Sequence, residues 1–159
     1  MAHVDFAFGA PNRLRMACDV ARKHYLAGHR LLVYCRDETV LARFDRLLWG
    51  FEPTAFVPHV RTGDPLEADT PVVLASSLPL PGATPESTVG APGDDAPWLL
   101  NLDPEVPPRV EQFARVLEIV SSHDADKQAA RQRWRHYESS GHTLRAFDVS
   151  PPPESDTPP

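Results

Sequence analysis

The sequence predicts one α/β domain with a mainly parallel central sheet and helices on both faces. Three observations carry this. The first fifty residues alternate strand and helix patterns with short links, which favours right-handed crossovers between parallel strands. Arg30 to Cys35 is an almost unbroken apolar run, as a strand covered on both faces requires. At 159 residues the chain suffices for one full core and is short for two.

Taken in order, Val4-Asp5-Phe6-Ala7-Phe8 alternates in polarity and reads as the first strand. Gly9-Ala10-Pro11 reads as a turn, with Pro11 suited to a helix's first turn. Leu14, Ala17, Cys18, Ala21 and Tyr25 recur at helical spacing, and Gly28 is a stop. After the second strand, Asp37 can cap a helix whose apolar stripe is Val40, Leu41, Phe44, Leu47 and Leu48, ending at Gly50. Short strands are expected at Ala55-Phe56-Val57, Val72 to Ala75 and Trp98 to Leu102. Val110, Phe113, Leu117 and Val120 fit one stripe of a helix. A second helix runs from about Asp124 to Ser140, stopped by Gly141, and Leu144 to Phe147 reads as an edge strand.

The 18 prolines are well above the usual share of about 5% and are clustered. Residues 76–97 read as a Pro/Gly-rich mobile insertion and 150–159 as a disordered tail, leaving one domain over 1–149. A net charge of −6 disfavours a protein that grips nucleic acid over its whole surface. No secretory signal, no CxxC pair and no long apolar run are present, so a cytoplasmic protein without membrane contact or disulfide is expected.

Enzyme signatures are weak. The Gly9 turn sits where a nucleotide-binding fold holds phosphate, but it has one glycine, no lysine and a proline that removes an amide donor. A degenerate nucleotide-binding α/β enzyme using that turn is the alternative reading. Seven histidines form no HExxH and no Cys/His cluster at ligand spacing, and no cofactor is implied. Cys18 and Cys35 sit in apolar surroundings that suit packing.

One segment stands out. Lys127 to Arg135 reads Lys-Gln-Ala-Ala-Arg-Gln-Arg-Trp-Arg, four cations and no acid, which leaves the rest of the −6 chain at −10. On a helix Lys127, Arg131, Trp134 and Arg135 share one face, while Ala130 and Tyr137 turn toward the core. A plain solvated helix has this composition too, and so does a single-stranded DNA contact that stacks bases on Trp134. Arginines beside a tryptophan, without acids at i±4, suit an acidic peptide with an apolar anchor, with Val120 completing a pocket wall.

Several stretches together resemble one family. They are Val4 to Pro11, Asp45 to Trp49, Phe51 to His59, Leu99 to Leu102, and Ala129 to Tyr137. In order along residues 3 to 148, they are similar to the chi subunits of bacterial DNA polymerase III. The resemblance excludes the Pro/Gly-rich insertion and the proline tail. It implies a Rossmann-like three-layer fold without catalysis. It also implies a link from the clamp loader to single-stranded DNA-binding protein, made by gripping that protein's acidic C-terminal tail. By position, Val120 would form the pocket wall, Lys127, Arg131 and Arg135 the carboxylate partners, and Trp134 the aromatic wall. Trp49 and Phe56 would meet the psi subunit, or a helicase using the same surface. Contact with DNA would be indirect.

Overall fold

Side chains alternate between the two faces of the sheet, and apolar helix stripes above and below divide the core into two layers. In this computed structural model the described residues are 3–50, 57–61, 65–66, 70–76, 98–108, 110, 113 and 115–149. The elements run β1 (His3–Ala10), α1 (Arg13–Leu26), β2 (Leu31–Tyr34), α2 (Glu38–Gly50), β3 (His59–Arg61), β4 (Val72–Ala75) and β5 (Trp98–Asn101). They continue with β6 (Arg115–Ser121), α3 (Asp124–Ser139) and β7 (Thr143–Asp148). The strands form one sheet in the order β3-β4-β2-β5-β6-β1-β7. Every described pair is parallel, so the sheet is parallel throughout its described strands. The arrangement is α/β and Rossmann-like.

One core layer packs Ala17, Cys18 and Ala21 of α1 and Leu41, Phe44 and Leu48 of α2 against Leu31, Val33 and Leu117. The other packs Ala130 and Tyr137 of α3 against Phe6, Leu32, Val116 and Val120. Helices therefore cover both faces. Both cysteines are buried and free. Burial pushes the Cys18 thiol up to about 12, which keeps it a packing group at neutral pH.

Two helix ends follow the sequence signals: Asp37 Oδ1 accepts from the Thr39 amide, and Gly28 takes a left-handed φ of 86° just past α1. The cap of α1 is Asn12, whose side chain accepts from the Arg15 amide. Pro11 thus lies before the cap of α1 and not in its first turn. Gly9 also departs from the expected turn: β1 continues through it to Ala10, with a bulge between Phe8 and Ala10 and a φ of 84° at Gly9.

The helix expected over Val110 to Val120 is not formed. Leu117 and Val120 belong to β6, whose residues alternate between the layers: Val116 and Val120 face α3, Leu117 and Ile119 face α1 and α2. A strand buried on both faces loses its period-two pattern, so a continuous apolar run imitates a helix stripe. Of the strand expected at 55–57 only Val57 is described. Val57 is buried outside any strand, β3 begins at His59, and residues 55–56 lie outside the described residues. The expected insertion falls outside them too, apart from Ser76, as does the 150–159 tail. No described helix is long and apolar enough to cross a membrane.

Candidate functional site

Neighbouring strands whose connections leave on opposite faces part at their C-terminal ends and open a crevice. β1 and β6 are such a pair: β1 continues into α1 on one face, β6 into α3 on the other. A cleft of about 800 Å³ lies there. It brings together all five residues that the sequence assigned to a tail-binding site: Val120, Lys127, Arg131, Trp134 and Arg135.

Each is placed by its element. Val120 is buried near the end of β6. Lys127, Arg131 and Arg135 rise from successive turns of α3 and are exposed, and none forms an ion pair with a described residue. Trp134 is half-buried, its ring 5.1 Å from that of Phe6 and tilted by 56°. Asp126 anchors the start of α3, its carboxylate accepting from the Ser121 amide at 2.7 Å.

The cleft also uses residues that sequence reasoning did not assign. Phe6 and Phe8 line it, and Phe8 is 41% exposed. Their alternation in β1 was a signal that they share a face; that this face opens beneath α3 followed only from strand order. Gly9 lines the same cleft. The fourth cation of the basic run behaves differently: Arg133 is buried and turned inward onto Glu118. The outward face of α3 therefore carries three cations. Chemically, it offers forked and single-point donors to carboxylates above an apolar, aromatic floor.

The second expected surface is only partly described. Trp49 lies in the last turn of α2, is 55% exposed, and packs its ring 4.6 Å from His59. His59 is held by the Val57 carbonyl at 2.8 Å and the Asp45 carboxylate at 2.6 Å. Phe56 lies outside the described residues.

A second crevice, of about 630 Å³, opens where β2 and β5 part. Here the cations are committed. Arg36 Nη2 lies 2.9 Å from both Asp103 and Glu105, and Arg13 donates to the Ile119 and Leu102 carbonyls at 2.9 and 3.0 Å. Burial pushes the Asp103 carboxyl up, but hydrogen bonds from the Arg36 side chain and the Arg36 and Glu105 amides prevail and hold it below the usual range.

The family described as "DNA polymerase III chi subunit, HolC" matches residues 1–145. Three relatives carry the name DNA polymerase III subunit chi. The protein of Pseudomonas aeruginosa is 34% identical over 133 residues, covering 84% of each chain. That of Haemophilus influenzae is 27% identical over 135 residues, covering 84% of this chain and 85% of its own. That of Escherichia coli is 28% identical over 130 residues, covering 82% of this chain and 81% of its own.

Proposed function

This chain belongs to the DNA polymerase III chi subunit family and hence to DNA replication, and from that premise we propose that it is a non-catalytic adaptor gripping the acidic C-terminal tail of single-stranded DNA-binding protein. Lys127, Arg131 and Arg135 receive the tail's carboxylates, while Val120, Trp134 and the floor around Phe8 take its apolar end. The observation that carries this reading is the convergence of five residues from two elements on one cleft, with three cations that no described acid neutralises. A cleft walled by cations and aromatics suits an anionic peptide with an apolar anchor better than bare phosphate.

In the same reading, Trp49 and Phe56 meet the psi subunit, or a helicase on the same surface, and so tie the adaptor to the clamp loader. The exposure of Trp49 supports a surface role for it. The protein acts in the cytoplasm as one domain over residues 1–149, with 76–97 an insertion and 150–159 a tail.

Titration with a peptide of the acidic tail tests the reading. Binding is tighter at low salt, and Arg131→Ala and Trp134→Ala each weaken it. Unchanged affinity in both variants would refute the site. A rise of several degrees in melting temperature with ATP or NAD would favour the nucleotide enzyme instead. Tight, salt-dependent binding to a bare oligonucleotide would favour direct DNA contact.

A further inference from the structure

Helix α3 turns three cations outward, yet its inward side is held by charge as well. On its sheet side α3 buries Ala130 and Tyr137 and packs Trp134 against Phe6, and among these apolar contacts lies one buried cation, Arg133. Glu118, fully buried between Val116 and Val120 on the same face of β6, meets it. Its carboxylate accepts from Arg133 Nε at 3.1 Å, from the Tyr137 hydroxyl at 2.7 Å and from Asn101 Nδ2 of β5 at 2.9 Å. Arg133 and Tyr137 are one helical turn apart, so a single carboxylate pins two points of α3. Arg133 Nη1 donates to the Pro104 carbonyl at 2.9 Å, pinning the helix to the β5–β6 link.

This set is not what stability alone would select. Burial pushes the Glu118 carboxyl up, against the attraction of Arg133 and the hydrogen bonds from Asn101 and Tyr137. Arg133 Nη2 is buried without a hydrogen-bond partner among the described residues. A well-packed apolar pair of similar volume is often as stable as a buried ion pair or more so. What an apolar pair lacks is directionality.

The clamp also stands directly behind the cleft. Glu118 is two residues before Val120 on one strand face, and Arg133 immediately precedes Trp134. We infer that Glu118 and Arg133 are positioning residues, whose hydrogen bonds fix the rotation of α3 and so the spacing of the Trp134 and Val120 walls that receive the peptide's apolar end. This rests on the peptide-binding reading above.

The test is the double variant Glu118→Leu/Arg133→Met, which removes both charges together and avoids stranding either. Its melting temperature falls modestly, because the buried Tyr137 hydroxyl loses its acceptor, but the chain still folds. Its affinity for an acidic peptide with an apolar end falls about fivefold, within the usual range of coupling between packed neighbours. Its preference for that peptide over the same peptide ending in serine flattens, while the salt dependence persists because Lys127, Arg131 and Arg135 remain. Unchanged affinity and end-residue preference overturn the inference. So does a double variant that fails to fold, because the pair would then hold the fold and not the orientation. If the parent chain binds no such peptide, the binding reading fails by itself. The inference is still decided by the Trp134 indole N–H resonance: a shift in the double variant without ligand supports it, and an unmoved resonance overturns it.

Discussion

The two crevices both open beyond the C-terminal ends of neighbouring parallel strands and end chemically opposite. At β1/β6, Lys127, Arg131 and Arg135 project from one helix face and find no acid among the described residues. At β2/β5, Arg36 and Arg13 are spent on Asp103, Glu105 and main-chain carbonyls. Topology decides where a crevice opens, and the supply of local acids decides whether its cations remain available. The β2/β5 crevice is thereby built as a structural joint between strand ends. The β1/β6 crevice keeps its three cations unpaired among the described residues.

The largest effect that would sharpen this contrast is on stability at the joint. Asp103→Ala takes the acceptor from two backbone amides and leaves Arg36 with Glu105 alone, and chemical denaturation should show a loss of about 2–3 kcal/mol with acidic-peptide affinity unchanged. A drop in peptide affinity with stability intact would break the division of roles. Next comes charge reversal in the open cleft. Arg131→Glu should weaken the peptide at least about tenfold, or roughly 1.4 kcal/mol, while the melting curve barely moves.

A third effect is in pH. The folded Asp103 carboxyl titrates below its ordinary value, so its stabilisation is complete above about pH 4 and is lost as pH falls through the lowered pKa. The stability gap between the parent and Asp103→Asn should therefore close on acidification. A gap that stays constant to pH 2 would contradict the ion-pair account. The smallest effect is expected at Trp49→Ala. More than half exposed, this residue should change stability by no more than about 1 kcal/mol and leave peptide affinity alone. A large loss of stability would make Trp49 a core residue and remove it from the proposed second surface.

Much of this was legible in the chain itself, for identifiable reasons. Helix periodicity and capping are local, so Asp37, Gly28 and the outward row of α3 could be read from spacing alone. The four cations in nine residues, and the family resemblance around them, marked the cleft's basic wall. β6 could not be read in the same way, because a doubly buried strand carries no alternation. Nor could Gly9, where a glycine that suits a turn equally suits a bulge.

What the sequence determined by itself was therefore the α/β class, helices α1, α2 and α3 (beside a fourth, over Val110 to Val120, that does not form), and the identity of the basic face, since each depends on residues close together in the chain. Tertiary structure alone decided that Phe6 and Phe8 floor the cleft, that Arg133 leaves the basic row to meet Glu118, and that Arg36 is spent while Arg131 is not. Each of these depends on which strands become neighbours and which face a crossover takes. Contacts as far apart in the chain as Glu118 and Arg133, or Phe6 and Trp134, are fixed by packing, and packing leaves no periodic trace in the sequence.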